Sequence, residues 1–578
     1  MDRPLAPTLL ALLAIACPAI RAEETGGVTV DAARAVAEKE TPAQRDARMA
    51  WWREAKFGLF IHWGVYAVPA GSYKGNASYG EWIMHSAKIP AAEYQGFAAR
   101  FNPVKYDPTA WVLAARDAGM RYLVITAKHH DGFALFPSQA SSWNMADATP
   151  YKKDLLASLA AAARADGMKI GFYYSQAQDW INPGGAKANY NEGDSWDPAT
   201  KGSFDSYLTT VAVPQVRELL TRYQPDILWW DTPTWMNAKR SAPFAALLPL
   251  RPGIITNNRL GGGFGGDTAT PEQFVPVTGV SGDWETCMTM NGHWGFNSAD
   301  QNWKSSAELI RKLADICAKG GNFLLNIGPT AEGEFPVPCL ERLKDMGVWL
   351  KANGESIYGT TAGPFRHLSW GCATRKADRL YLHVFTWPTD GKLRVPLTSG
   401  AKSAWLLGHP ETKLALRAEP GRQIVSLPAT APDAINSVVV LELDGDPVAQ
   451  PLASFGAKAS ATAAMPGNGP ENVLDGTGHK RWLAPSETKE AVLTIELAQE
   501  AAISGIGFDE PDVWPRMHQA YRIEAQVGGD WKMVAEGKTR GHGGMLDVPA
   551  ITTRSLRITL ANDKGAPGLA EVMVFRPE

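Results

Sequence analysis

Cysteine is scarce in this chain, five residues in 578. Cys17 falls in the N-terminal leader, and Cys287, Cys317, Cys339 and Cys372 are scattered without the paired spacing of a metal site. That argues against a cysteine-framed zinc module and leaves buried thiols or long-range disulfides. An excess of one charge is missing too. With 57 basic and 60 acidic residues the net charge is -3, so there is no basic surplus of the kind that makes nucleic acid a main partner. No HExxH helix and no GxSxG elbow occurs, which argues against a metal hydrolase of the HExxH type and a serine hydrolase built on that elbow. Low-complexity tracts and repeat arrays are absent as well.

What is present is bulk. The length, with 45% hydrophobic residues, is enough for a large core plus accessory modules. The 21 Trp are many for this length; indoles fill large cores and also offer flat faces to ring-shaped ligands. At the N-terminus, Arg3 precedes an apolar run at 9–16, then small residues and Glu23-Glu24. The run is too short to span a bilayer, and residues 1–22 read as an export signal peptide cleaved after Ala19 or Ala22. The expected location is periplasmic or secreted. Ala14-Ile-Ala-Cys17 weakly resembles a lipoprotein signal, so lipid anchoring through Cys17 is the second reading.

From about residue 57 the chain alternates apolar runs and helical patterns. Phe57-Gly-Leu-Phe-Ile-His-Trp-Gly64 reads as a first buried strand. Asp107-Pro108 opens a helix, with Asp as cap and Pro in the first turn. Strands follow at 122–128 and 169–175, a helix interrupted near Pro214 at 206–223, then Pro225-Asp-Ile-Leu-Trp-Trp-Asp231. In a strand Trp229 and Asp231 share a face and Trp230 opposes them. Shorter candidates lie at 253–258 and 283–288, and a last strand at 322–328. Strand–helix repetition over some 300 residues predicts an α/β fold of the (β/α)8-like barrel class over 23–360, with a doubly wound sheet as competitor. The Gly261-Gly-Gly-Phe-Gly-Gly266 run contains GxGxxG but leads into no apolar helix, so no dinucleotide site is read there. After residue 361 helical periodicity stops. Short alternating runs predict a β-sandwich at 361–446 and a second all-β module at 450–578.

Polar side chains gather at the predicted strand ends: His62, His129, His130, Tyr173, Asp231 and Arg259, with Glu81-Trp82 in the first loop. Strand ends form the substrate face of a parallel barrel, and this set suits a hydroxyl-rich ligand better than a metal. The alternative for Asp231 is a cap on the turn at Thr232-Pro233. A retaining glycosidase needs a nucleophile and an acid/base, two carboxyls about 5–5.5 Å apart. Asp231 is the candidate nucleophile. Glu272, in Thr270-Pro-Glu-Gln273, is the preferred acid/base; Glu285, in a strand-like apolar run, is its rival. No cofactor and no metal are expected.

Six ordered motifs carry a family resemblance: Phe57 to Gly64, Ala127-Lys-His-His-Asp-Gly-Phe133, Gly171-Phe-Tyr-Tyr-Ser175, Leu228-Trp-Trp-Asp231, Trp284-Glu-Thr-Cys287 and Asn322-Phe-Leu-Leu-Asn-Ile-Gly-Pro329. Together they resemble the α-L-fucosidases of glycoside hydrolase family 29. The resemblance implies a (β/α)8-like barrel that removes terminal α-L-fucose from fucosylated glycans with retention, through a covalent fucosyl-enzyme. It implies Asp231 as nucleophile and His62, Glu81, Trp82, His129, His130, Tyr173, Trp229, Arg259 and Trp294 as fucose contacts. Asn472-Val-Leu-Asp-Gly476, Arg481-Trp482, Ile506-Gly-Phe508 and Leu569-Ala-Glu-Val-Met-Val-Phe575 resemble the discoidin-like (coagulation factor 5/8 C-type) carbohydrate-binding module, a jelly roll. That module is either a glycan tether raising local substrate concentration or a domain needed only for stability. A non-catalytic fucose-binding lectin on the same scaffold and an exo-glycosidase for another sugar are the rival readings of the whole chain.

Overall fold

The computed structural model describes residues 40–578 apart from 278, 477, 479, 512–516 and 540–542. The leader at 1–22, with Cys17, lies outside the described residues. Seven parallel strands make the first sheet: β1 (Phe57–Ile61), β2 (Tyr122–Lys128), β3 (Lys169–Tyr174), β4 (Ile227–Trp230), β5 (Ile255–Thr256), β6 (Glu285–Thr289) and β7 (Asn322–Ile327), in the order β5-β4-β3-β2-β1-β7-β6. They are almost wholly buried, as parallel strands covered on both sides must be. Side chains divide by parity. Phe60, Tyr122, Val124, Tyr173, Ile227, Trp229 and Ile255 share one cluster, which Met49 and Trp52 of helix Pro42–Ala55 also join. Ile61, Leu123, Ile125, Phe172, Leu228 and Trp230 instead pack with the surrounding helices.

Where the (β/α)8 reading expects eight strands the sheet has seven regular ones, and an irregular connection runs between its edge strands. Segment 267–273 bridges the two edges: Asn257 pairs with Thr268, Ala269 with Trp284 and Glu272 with Cys287. The glycine run makes this return possible. Gly266 has φ +60, and a Cβ there would sit 2.1 Å from the Asn257 carbonyl, so the turn accepts no larger residue without moving backbone. Among the described residues no regular helix lies between β5 and β6. The predicted break near Pro214 does not occur. The helical run 204–223 continues through it, because a widened turn at Leu208–Ala212 absorbs the missing N–H.

The second unit is antiparallel. A six-stranded sheet including Gly371–Lys376, Arg379–Val384 and Ser437–Leu443 faces a three-stranded one containing Lys392–Val395. Leu380, Leu382 and Val384 fill the space between the sheets, while Tyr381 and Val440 pack toward the barrel helices. Arg311 Nε and Trp349 Nε1 donate to the carbonyls of Ile435 and Asn436 at 2.9 and 3.0 Å, fixing this unit on the barrel. The third unit is mostly antiparallel, built on two long bulged strands, Glu490–Asp509 and Gly544–Ala561. It has its own core, in which Trp482, Ile503 and Ile523 pack with Leu556, Ile558 and Leu560.

Candidate active site

The sheet's carboxyl end carries the polar set. Asp231 follows β4, and both its carboxylate oxygens are held. Tyr173 on β3 donates its hydroxyl to Oδ2 at 2.7 Å, and Arg259 Nη1 donates to Oδ1 at 2.9 Å. The same Arg259 Nη1 donates to Glu272 Oε2 at 2.8 Å. Thr270, on the connection that bears Glu272, fixes the guanidinium from the other side: Nε donates to its hydroxyl and Nη2 to its carbonyl, each at 2.9 Å. Arg259 also lies over the Trp229 ring, 4.9 Å from its centroid. Burial pushes the Asp231 carboxyl up, but the Arg259 charge beside it and the two donors outweigh this and hold it below the usual carboxylate range.

Aromatic and imidazole rings wall the remaining space. Tyr173 stacks on Trp229 at 5.6 Å and on His129 at 5.4 Å. His62 packs 5.0 Å from Trp294, and its Nδ1 meets Asn326 Oδ1 at 2.7 Å. Trp82 packs nearly perpendicular to His130, with ring centroids 5.0 Å apart. Glu81 is buried, accepts the Gly295 N–H at 2.9 Å, and is pushed up by that burial. Burial drives His62 and His130 down, to about 4 and about 3, and holds His129 well below the ordinary imidazole value. All three are therefore neutral near pH 7. The Ser175 hydroxyl donates to the Gln178 carbonyl at 2.8 Å, so its oxygen accepts from His130 Nδ1 at 2.7 Å. His130 Nε2 lies 3.5 Å from Asp231 Oδ2 and 3.4 Å from the Thr232 hydroxyl, so this ring borders the carboxylate directly. His129 Nδ1 is buried with no hydrogen-bond partner among the described residues.

All of the residues singled out by sequence surround this mouth except Glu285, which lies behind its wall. Glu285 is 1% exposed, and its two oxygens accept from Trp229 Nε1 at 2.9 Å and the Tyr122 hydroxyl at 2.7 Å. Several supporting residues escape the sequence reading. Gln176 accepts the Asp231 N–H and donates to the Arg259 carbonyl, at 3.1 and 2.8 Å. Ser175, Asn326 and Thr270 hold His130, His62 and Arg259. Ser175, Gln176 and Asn326 lie on or just past a strand end, the one signal that marks the others. Among the described residues no group of three or more His, Cys, Asp or Glu is placed to hold a metal ion.

Asp131 follows the histidine pair in sequence and is buried, accepting from the Tyr94 hydroxyl at 2.8 Å. Burial pushes its carboxyl up to about 7. A folded-state value above the unfolded one means that Asp131's contribution is complete below about pH 4 and lost as pH rises toward 7. The loss is at most about 4 kcal/mol for a shift of that size. Asp131→Asn is therefore expected to flatten the fall in Tm between pH 4 and 7, measured by calorimetry against the parent.

The family model for alpha-L-fucosidase matches residues 28–355, and that for the F5/8 type C domain matches 456–573. An alpha-L-fucosidase of Branchiostoma floridae is 33% identical over 392 residues, 62% of this chain and 84% of that protein. The structure of a Bacteroides thetaiotaomicron GH29 alpha-L-fucosidase, a trapped covalent intermediate with 2-fluoro-fucosyl fluoride, is 30% identical, with a TM-score of 0.62 over 69% of this chain and 97% of that one. The alpha-L-fucosidase of Vibrio sp. strain EJY3 is 25% identical, with a TM-score of 0.68 over 92% of this chain and 98% of that one. With the carboxylate-bearing mouth at the end of its parallel sheet, the chain belongs to the alpha-L-fucosidase family of glycoside hydrolases and carries an F5/8 type C domain after the catalytic part.

Proposed function

We propose that this enzyme removes terminal α-L-fucose from fucosylated glycans with retention of configuration, Asp231 acting as nucleophile and Glu272 as acid/base. One observation carries the reading: a single nitrogen, Arg259 Nη1, touches both carboxylates, at 2.9 and 2.8 Å. Their nearest oxygens are then no further apart than those two distances combined. This favours the retaining separation of about 5–5.5 Å over the inverting one of about 6.5–9.5 Å. The covalent intermediate trapped in the Bacteroides relative agrees with it.

In the first step an Asp231 oxygen bonds to the anomeric carbon while Glu272 gives its proton to the departing oxygen. Arg259 and Tyr173 keep Asp231 ionised and aimed. Glu272 must be protonated to act, so its ion pair with Arg259 opens as the sugar arrives. In the second step Glu272 takes a proton from water, which attacks the same carbon and frees α-L-fucose. His129 Nδ1, unpaired among the described residues, is available to a sugar hydroxyl, and the neutral His62 and His130, with Glu81, Trp82, Trp229 and Trp294, complete the pocket. We assign Glu285 to the wall, because both of its oxygens are occupied. We also read the leader as an export signal, and the last module as a glycan tether.

Proton NMR of aryl α-L-fucoside hydrolysis tests this reading. The α anomer of fucose should appear first and mutarotate later. Initial release of the β anomer would contradict retention, and no turnover at all would favour the lectin reading.

A further inference from the structure

We propose that the last module does more than tether glycans: through Asp509 it positions the loop that carries Glu272. This rests on Glu272 being the acid/base. The loop leaves β6 two residues after Glu272, beyond Phe274. Gln273 is held in the left-handed region at φ 66, a conformation that a non-glycine residue keeps only where its surroundings enforce it. The Gln273 N–H donates to the Cys287 carbonyl at 2.9 Å, and its side chain contacts Thr289. Thr286 Oγ1 donates to the Phe274 carbonyl at 3.1 Å. Those bonds tie the near side of the loop to β6.

The far side is tied to another unit. The Val277 N–H donates to Asp509 Oδ1 at 3.0 Å, across 232 residues of sequence. Asp509 is buried at the end of strand Glu490–Asp509, and its carbonyl accepts from the Ala570 N–H at 2.7 Å. The Val277 side chain lies over Gly507, where an added Cβ would meet Val277 Cγ1 at 3.2 Å. The absence of a side chain at 507 lets the loop approach this closely.

Asp509 can act as a fixed point because its module is anchored elsewhere. The Glu578 carboxylate accepts from the Ser369 N–H and hydroxyl, at 2.6 and 2.7 Å, and Arg422 donates to the Glu578 carbonyl at 2.9 Å. The β-sandwich holding Ser369 and Arg422 is itself fixed on the barrel through Arg311 and Trp349. The loop thus spans two anchored bodies, with the acid/base five residues before the second attachment at Val277.

A positioning role has a signature that simple destabilisation lacks. Protonation of the leaving group matters for a poor leaving group and little for a good one. Asp509→Ala is expected to lower kcat on an unactivated fucosyl disaccharide by about tenfold or more, with KM little changed, and to leave kcat on a nitrophenyl fucoside within about twofold. Asp509→Asn keeps an acceptor oxygen and should restore most of the loss. Gly507→Ala, pressing on Val277 from the module side, should reproduce the pattern without touching Asp509. Equal losses on both substrates, or none, would overturn the proposal. Glu272→Ala assayed in parallel separates the two layers: if it shows no leaving-group dependence, the acid/base assignment fails. If it does and neither Asp509→Ala nor Gly507→Ala follows, only the positioning role fails.

Discussion

Asp231→Gly should lose activity on every fucoside by about 10³-fold or more, whatever the leaving group, because the bond to the anomeric carbon has no other oxygen to form through. The surroundings argue that the loss would be specific. Tyr173 and Arg259 both point at this carboxylate, and Gln176 fixes its backbone N–H, so the cavity outlasts the side chain. Added azide should then attack the α-linked substrate directly and yield β-fucosyl azide with inverted configuration. Kinetics with an activated aryl fucoside, and NMR of the azide product, check both parts. Activity within about tenfold of the parent would remove Asp231 from the reaction.

Glu272→Ala should divide substrates that Asp231→Gly treats alike. On unactivated oligosaccharides the loss is expected at about 10²–10⁴-fold, the range for a missing general acid. On an aryl fucoside with a good leaving group the first step needs no proton, and the β-linked fucosyl-enzyme accumulates. Azide should release it as α-fucosyl azide, with configuration retained and the rate restored. Glu285→Ala should behave differently. It leaves the Trp229 indole and Tyr122 hydroxyl buried without their acceptor, a cost of about 1–3 kcal/mol for each orphaned group. Tm should fall, both substrates should suffer together, and azide should rescue neither. Rescue confined to Glu285→Ala would reverse the two assignments.

Much of this site is legible in the sequence because buried parallel strands are continuous apolar runs, and a polar residue at the end of such a run stands out. His62, His129, Tyr173 and Asp231 share that signal. Trp229 and Trp230 divide between the inner and outer clusters as strict alternation requires. The connection 267–273 is not legible as part of the sheet. Its pairing is a handful of isolated bridges, set by a glycine turn rather than by any periodicity of its own. Glu272 therefore reads as a loop residue, although it pairs against Cys287 beside the barrel wall. Ser175, Gln176 and Asn326 do not stand out because amides and hydroxyls at strand ends are ordinary turn formers, and only distances show what they hold. The Val277–Asp509 contact carries no local signal at all, since its two halves lie in different units.

Retention through a covalent intermediate requires one particular oxygen to hold the sugar. Incubating the enzyme with 2-fluoro-fucosyl fluoride, digesting it and locating the added mass by tandem mass spectrometry reads this directly. The label is expected on the peptide containing Leu228-Trp-Trp-Asp231, at the Asp231 side chain. A label on Glu272, Glu285 or any other residue would contradict it.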